Sequence, residues 1–210
     1  SMGLCWRHTS QQGGGFFWTY GQQDLYTIKI HDFFFHEDQL LEFHWPESLS
    51  VTWYESISGE EFSPCRRLVP GCVKSFIGGR EPYRALIHRQ IPIVSIGVEI
   101  TPAYYRDYLR RQFPQEYQSL LESFQTLDQT EHFPEMVQLL KQVRDYRGEG
   151  LPARLFYDGK VAEAVHKLKI STLIEQDIIS ILFEIKRGKT IEQALEKLAS
   201  EDVVGVTEAK

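Results

Sequence analysis

The sequence predicts an α+β protein, with an N-terminal antiparallel β-barrel followed by a C-terminal α-helical subdomain. The change of class falls in the stretch 95–109. Up to Ile100, apolar residues alternate with small or polar ones, which is the period of a half-buried strand. From Thr101 the apolar spacing is helical, with Thr101 as a good N-cap residue and Pro102 at the first helical position. This stretch is expected to join two functional halves.

Length and composition are those of an ordinary globular protein. The chain has 210 residues, 42% of them hydrophobic and 25% charged, and is long enough to bury a core. No apolar run reaches the length of a membrane span, and the N-terminus lacks a signal-peptide pattern. Three cysteines suggest a reducing compartment, so we expect a cytoplasmic location and no membrane partner. A net charge of −6 without a basic stripe argues against nucleic-acid binding by this chain alone.

The β half is predicted to consist of an arm, residues 1–24, and a barrel, residues 25–101. The arm contains three consecutive glycines at 13–15, interpreted as a hinge, and then a group of aromatic residues that could cap the barrel or fold over a ligand. In the barrel, short stretches of alternating hydrophobicity are separated by turn signals such as Pro70-Gly71 and Gly78-Gly79. Short strands at regular spacing are typical of a closed sandwich or a small barrel.

The helical half, residues 102–199, is predicted to contain several helices. Pro134 is placed at the start of one of them, and the run 155–165 forms another. A further short helix is expected around residues 117–124. We interpret this half as a dimerisation and linker subdomain.

Capping-box patterns predict two more helix starts near the end of the chain. Thr172 is followed by Glu175, and Thr190 by Gln193, at the spacing that allows reciprocal hydrogen bonds. Residues 200–210 have the pattern of a cap and an acidic first turn. We therefore expect them to begin a linker, and the chain to be a piece of a longer protein.

Three stretches of the sequence resemble the AraC family of transcriptional regulators. They are IGVEITPAYYRDYL (Ile96 to Leu109), LPARLFYDGKVAEAV (Leu151 to Val165) and EDVVGVTEAK (Glu201 to Lys210). The resemblance implies a cupin-like β-barrel that binds a small-molecule effector, followed by helices that form a homodimer. It also implies that DNA is bound only through C-terminal helix-turn-helix motifs that this chain does not contain. On this interpretation the chain is a sensor domain, not an enzyme, and needs no cofactor.

Candidate effector-binding residues are polar or aromatic side chains on the predicted barrel strands. Glu55 shares its parity with Leu49, Val51 and Trp53, and a carboxylate on an apolar face is costly unless it is paired, solvated or bound to a ligand. It lies either at the barrel mouth in water or against a donor-rich ligand, and Trp53 could simply fill the core. The candidates for effector binding are Tyr26, Trp53, Glu55, Tyr83, His88 and Arg89.

The run 155–165 supplies the candidate dimerisation face. Leu155, Gly159, Ala162 and Val165 share one side of the predicted helix, and a glycine in a helix interior permits a close helix crossing. The alternative is that this face packs within the chain, against the helix that starts at Pro134. The family resemblance favours the dimer.

Metal and thiol chemistry are not expected. None of the seven histidines forms a His-x-His pair, so no metal site is predicted. Arg66 and Arg67 could activate Cys65, but an incidental cysteine is the favoured interpretation. Two other functions stay open: a cupin-type metal-dependent enzyme, such as an isomerase or dioxygenase, and a structural association module that binds no small molecule.

Overall fold

The computed structural model describes residues 3–22, 24–63, 65–79, 81–112, 114, 133–187, 189–193 and 195–196, with backbone only at residues 8, 10, 169–179, 183 and 184. Within these residues ten strands form two antiparallel sheets. Their bounds are β1 Leu4–Ser10, β2 Gly13–Gln22, β3 Tyr26–Phe35, β4 Gln39–Phe43, β5 Leu49–Ser56, β6 Gly59–Phe62, β7 Cys65–Leu68, β8 Val73–Ile77, β9 Tyr83–Ile87 and β10 Ile93–Ile100.

The two sheets lie in one β region but are not closed into a barrel. The first has the strand order β1-β2-β3-β10-β5-β8, and the second has the order β4-β9-β6-β7. The α+β class is therefore confirmed, and the expectation of a closed barrel is wrong. Alternating hydrophobicity does not separate the two cases, because a strand has one inward face in a sandwich and in a barrel alike.

Most of the predicted N-terminal arm is a β-hairpin. Strands β1 and β2 pair with each other, and β2 also pairs with β3, so these residues belong to the six-stranded sheet. The three glycines lie inside β2, opposite Phe33, Phe34 and Phe35. A Cβ atom on Gly15 would collide with the backbone of Asp32 and Phe33, and its φ is +139°. These glycines permit close strand approach and are not a hinge.

The helical region begins directly after β10. A π-helix spans Ala103–Leu109, followed by α1 (Arg110–Gln112), α2 (Pro134–Asp145) and α3 (Gly150–Lys186). The predicted start at Pro134 is confirmed. By contrast, the run 155–165 and the predicted start at Thr172 belong to the single helix α3. The expected helix at 117–124 lies outside the described residues.

The chain divides into two compact units, residues 1–168 and 169–210. In the second unit, residues 191–193 and 195–196 are helical. The Gln193 amide N–H donates to the Thr190 hydroxyl, and the Thr190 amide N–H donates to the Gln193 side chain, as the capping-box pattern predicts. Residues 200–210 lie outside the described part of the chain. Among the described helices, none is long and apolar enough to cross a membrane.

The six-stranded sheet is covered on both faces within the first unit. One face carries the aliphatic side chains of β3, β5 and β10 and packs in one hydrophobic cluster with α2 and the first turns of α3. Fully buried residues of this cluster include Ile28, Ile96, Leu140 and Leu168. The opposite face looks towards the four-stranded sheet.

Candidate ligand-binding cavity

A cavity of about 470 Å³ lies between the two sheets. This volume is within the range of roughly 300–1,000 Å³ that is typical of small-molecule sites. The floor is the polar face of the six-stranded sheet. Aromatic and aliphatic side chains of both sheets form the walls.

Strand register places the floor residues in rows across the sheet. Gly97 on β10 lies opposite Lys29 on one side and Thr52 on the other, and Thr52 lies opposite Lys74 on β8. One row therefore runs Lys29, Gly97, Thr52, Lys74. Neighbouring strands are separated by about 4.8 Å, so the two lysine Cα atoms are roughly 14 Å apart. A Cβ atom on Gly97 would collide with the Thr52 hydroxyl, which is therefore turned towards the bare backbone of Gly97.

The first lysine belongs to a three-residue polar network. Lys29 Nζ lies 2.8 Å from Oε2 of Glu99, and the Trp45 indole N–H donates to the same oxygen at 2.7 Å. The Lys29 ammonium also lies 4.7 Å from the centre of the Trp45 ring, within range of a cation–π interaction. This network fixes Trp45 at one end of the cavity.

The second lysine belongs to a buried triad. Glu61 binds Lys74 through one carboxylate oxygen and Arg66 through the other. The side chains of Glu61 and Lys74 are only 2% and 4% exposed, so the ion pair offsets a large desolvation cost. The Lys74 ammonium lies 5.3 Å from the centre of the Tyr83 ring. Glu61 lies behind Lys74 and is not itself part of the cavity wall.

Four aromatic rings form a closed cycle at this end of the cavity. Phe43 contacts Trp45 and Tyr83, and Phe76 contacts the same two residues, with ring centres 4.8 to 6.3 Å apart. The two rings that face lysine ammoniums, Trp45 and Tyr83, are on opposite corners. The rings supply flat apolar surface beside the charged floor.

The other titratable groups of the cavity are uncharged at neutral pH. Burial, and the nearby positive charge of Lys29, lower the pKa of His31 to about 4. One ring nitrogen, Nδ1, lies 3.2 Å from the Ser95 hydroxyl. Burial raises the pKa of Tyr54 to about 12 and that of Tyr83 further still. His31 is thus an unprotonated base, and both tyrosines are neutral phenols.

The far end of the cavity is apolar. Phe17 stacks on Phe33 with ring centres 4.7 Å apart. Ile57, Ile87 and Ile93 are buried beside them in a hydrophobic cluster of their own. The cavity is therefore amphipathic along its length, with a charged end and an apolar end.

The six predicted effector-binding residues are not brought together. Tyr83 lines the cavity. Tyr26, Trp53 and Glu55 lie on the opposite, helix-facing side of the six-stranded sheet: the Tyr26 hydroxyl donates to Asp158 of α3 at 2.6 Å. Glu55 binds Arg144 of α2, which also lies over the Trp53 ring.

The remaining two candidates lie at the β9–β10 connection. His88 Nδ1 is 2.8 Å from the Ser58 hydroxyl. Arg89 is exposed, with a 3.6 Å ion pair to Glu37. Effector binding by the six residues stays a prediction.

Sequence reasoning missed Lys29, His31, Thr52 and Glu99 because it followed the apolar parity of each strand. These residues occupy the polar parity of β3, β5 and β10, which is typical of a solvent-exposed face. A strand that is buried on both faces shows the same alternation as a half-exposed strand when one of its faces is polar. The charged residues Lys29, Lys74 and Glu99, inside the strands β3, β8 and β10, were the available clue.

Three of the four predicted dimerisation residues lie on the outer side of α3. Leu155 is 62% exposed, and Gly159 and Ala162 are also exposed. A Cβ atom on Gly159 would meet nothing within 4 Å, so no close helix crossing occurs there among the described residues. Val165 is partly buried. Dimer formation through this face stays a prediction.

Metal-ligating side chains do not converge in the described part of the chain, where no group of three His, Cys, Asp or Glu residues could hold an ion. The described residues therefore supply no ligand set for the metal centre that a metal-dependent cupin enzyme requires. Cys5 and Cys65 are exposed and Cys72 is buried, and none of these three described cysteines forms a disulfide.

No protein-family model and no curated protein sequence matches the chain. Similar solved structures include a cupin protein from Bacteroides fragilis, at 10% identity and a TM-score of 0.29 over 37% of this chain and 66% of that one. Streptomyces PAC13 with uridine is similar at 12% identity and a TM-score of 0.32, over 47% and 75%. A mutant oxalate decarboxylase from Bacillus subtilis is similar at 8% identity and a TM-score of 0.34, over 51% and 31%.

The comparisons find cupin proteins among the similar structures and give no support for membership of the AraC family. At such identities and TM-scores they carry no ligand, reaction or partner over to this chain. The expectation that the chain is not an enzyme is withdrawn. Enzymes are among the similar structures, since Pac13 is a nucleoside dehydratase and oxalate decarboxylase is another enzyme.

Proposed function

We propose that the chain binds a small organic molecule in the cavity between the two sheets and senses its presence. The observation that carries the proposal is the amphipathic cavity itself, in which charged and hydroxyl groups are ordered on one sheet face and apolar side chains close the other end. Polar groups placed among apolar walls are typical of small-molecule sites.

A continuous set of contacts links the cavity to the helices. Trp45 binds Glu99 on the cavity floor, and two residues later Glu47 accepts a hydrogen bond of 2.9 Å from the Tyr105 hydroxyl. Glu47 also binds Arg106 of the same π-helix. A ligand that displaces Trp45 would therefore move the loop that holds the π-helix. Differential binding to the two loop positions is what would make the domain a switch.

Ligand binding is tested by a thermal-shift screen of a metabolite library on the wild-type protein. Compounds that bind the cavity raise the melting temperature in proportion to their occupancy. Thr52→Phe places a ring over the floor and should abolish the shift. Thr9→Phe, on an exposed position of β1, is the matched control and should retain it. Equal shifts in both variants would place binding outside the cavity.

Coupling is tested with Glu47→Gln and any compound found in the screen. We expect this variant to keep its affinity within about twofold, because Glu47 does not line the cavity. In the wild type, ligand should change amide hydrogen exchange in the π-helix, whereas in the variant this change should be lost. A ligand response that persists at residues 103–109 would refute this route.

A second function is favoured by one observation, the position of His31 in the cavity wall with Nδ1 3.2 Å from the Ser95 hydroxyl. A neutral imidazole that contacts a bound substrate can accept a proton, as in a general acid–base enzyme. Incubating each stabilising compound with the protein and following it by NMR tests this function. Turnover that His31→Gln removes would establish an enzyme, and unchanged compounds would support sensing alone.

We propose further that the outer face of α3 forms a homodimer. Leu151 and Leu155 are 64% and 62% exposed, one helical turn apart, beside the exposed Gly159. Sedimentation over a concentration series should show a dimer that Leu155→Glu dissociates. Leu40→Glu, at a leucine of β4 that is 51% exposed, is the control. A monomer at all concentrations would refute the proposal.

The broader role we propose is the sensor domain of an AraC-type transcription regulator. The support is the sequence resemblance at Ile96 to Leu109 and Leu151 to Val165. Two helix-turn-helix motifs in the full-length protein would agree with this role. A full-length protein without them would rule it out, while leaving the binding function untouched.

A further inference from the structure

The charged groups of the cavity wall are unequal in number. Among the described residues that line the cavity, two carry an ammonium, Lys29 and Lys74, and one carries a carboxylate, Glu99. His31 is neutral. Behind the wall, Glu61 pairs with both Lys74 and Arg66, so these five charged groups carry one net positive charge. This excess would repel a cationic ligand and attract an anionic one across a space of low dielectric constant.

The open position on the floor lies between the strand positions of these two lysines. Gly97 and Thr52 separate Lys29 from Lys74 in the same row of the sheet. Gly97 leaves its backbone bare, and the Thr52 hydroxyl, which is able to donate a hydrogen bond, lies next to it. A group that accepts several hydrogen bonds and carries negative charge suits this position.

The apolar end of the cavity indicates the chemistry of the remaining part of the ligand. Phe17, Phe33 and Ile57 enclose the side of the cavity away from Glu99 and offer no charge. An apolar body placed there loses its contact with water at no cost in hydrogen bonds.

On the basis of the binding function proposed above, we propose that the ligand is an amphipathic carboxylic acid. Its carboxylate lies over Gly97, between Lys29 and Lys74, and its apolar body lies against Phe17 and Phe33. Ser50 and Thr52 supply neutral donors, and Glu99 sets the distance of Lys29 from the carboxylate.

The experiment compares three probes of one shape by isothermal titration calorimetry: 3-phenylpropionate, 3-phenylpropionamide and 3-phenylpropylamine. The acid should bind about tenfold more tightly than the amide, since hydrogen bonds to a charged acceptor are about twice as strong as neutral ones. The amine should bind more weakly than both.

Variants assign this preference to the floor. Lys29→Met should reduce acid binding about tenfold, to the level of the amide, without changing amide binding. Glu99→Gln should strengthen acid binding several-fold, because Lys29 then lacks its competing carboxylate. Lys141→Met is the matched control, since Lys141 also lies over a tryptophan ring, that of Trp53, but on the helix-facing side.

The outcomes separate the two proposals. Equal binding of acid and amide, tighter binding of the amine, or weaker acid binding in Glu99→Gln would overturn the carboxylic-acid inference alone. The same holds if none of the three probes binds while the metabolite screen yields ligands that Thr52→Phe abolishes. Absence of any cavity ligand in that screen would refute the binding function itself.

Discussion

The two faces of the six-stranded sheet are built from the same strands but differ in packing density and in polarity. On the helix-facing side, Ile28, Val51 and Ile96 pack without charge against α2 and α3. On the cavity side, their immediate neighbours Lys29, Thr52 and Gly97 form a polar row that encloses space. One face stabilises the fold through dense packing, and the other is less densely packed and borders the cavity.

Strong apolar alternation in a strand therefore indicates which face of the sheet is tightly packed. It does not indicate which face borders a cavity. Tyr26, Trp53 and Glu55 share the apolar parity and contact helices. A binding face keeps polar groups that must be satisfied by partners or ligands, so it looks solvent-exposed in the sequence.

The largest expected loss of stability comes from removing a packed side chain on the helix-facing side, in comparison with a truncation on the cavity side. Ile96→Ala removes a fully buried side chain from the centre of the helix-facing cluster, and should cost about 3 kcal/mol of unfolding free energy. Thr52→Ala on the neighbouring strand borders empty space and should cost less than about 1 kcal/mol. Urea denaturation of both variants checks the contrast. Equal losses would mean that the cavity face is packed as tightly as the other.

A pH-dependent effect should follow from His31 on the cavity face. Its folded-state pKa of about 4 lies below the value of 6.5 for a free histidine, so the unfolded state takes up a proton first as pH falls. Stability should therefore decrease between pH 6.5 and pH 4 by about 3 kcal/mol from this group, and level off below.

The measurement is the unfolding free energy of wild type and His31→Gln across this range. The variant should lose less stability on acidification. His166→Gln, at an exposed histidine of α3, should behave like wild type. Parallel curves for wild type and His31→Gln would show that His31 titrates normally.

A smaller loss of stability is expected when the hydrogen bond between Tyr26 and α3 is removed. Tyr26→Phe removes the hydrogen bond to Asp158 and should cost about 1 kcal/mol. Because Tyr26 does not line the cavity, affinity for a cavity ligand should stay within twofold of wild type. Calorimetry with the best compound from the screen checks this, and a large loss of affinity would restore Tyr26 as a binding residue.

The smallest loss of stability is expected for an ion pair on the helix-facing side of the sheet. Glu55 and Arg144 form a partly exposed ion pair, with Glu55 49% exposed. Such pairs contribute about 0 to 1 kcal/mol, so Glu55→Gln should lower stability by less than about 1 kcal/mol and leave ligand affinity unchanged. Thermal unfolding at low and high salt measures it. A loss above 2 kcal/mol would show that the pair is coupled to the core.

Four features could be predicted from local sequence patterns: the α+β class, the change from strand to helix near Thr101, the helix start at Pro134 and the capping box at Thr190 and Gln193. Each depends on hydrophobic period or on hydrogen bonds between residues three or four apart, and such local preferences act wherever the segment lies.

The remaining features of the fold and of the cavity depend on the tertiary structure. Whether the sheets close, whether the glycines at 13–15 bend or pair, and which parity of a strand meets helices or a cavity all depend on strand partners distant in sequence. Lys29, Thr52 and Lys74 form a row only because β10 lies between β3 and β5, a pairing that no local pattern encodes. The binding face is set by register across strands, and register is a property of the whole sheet.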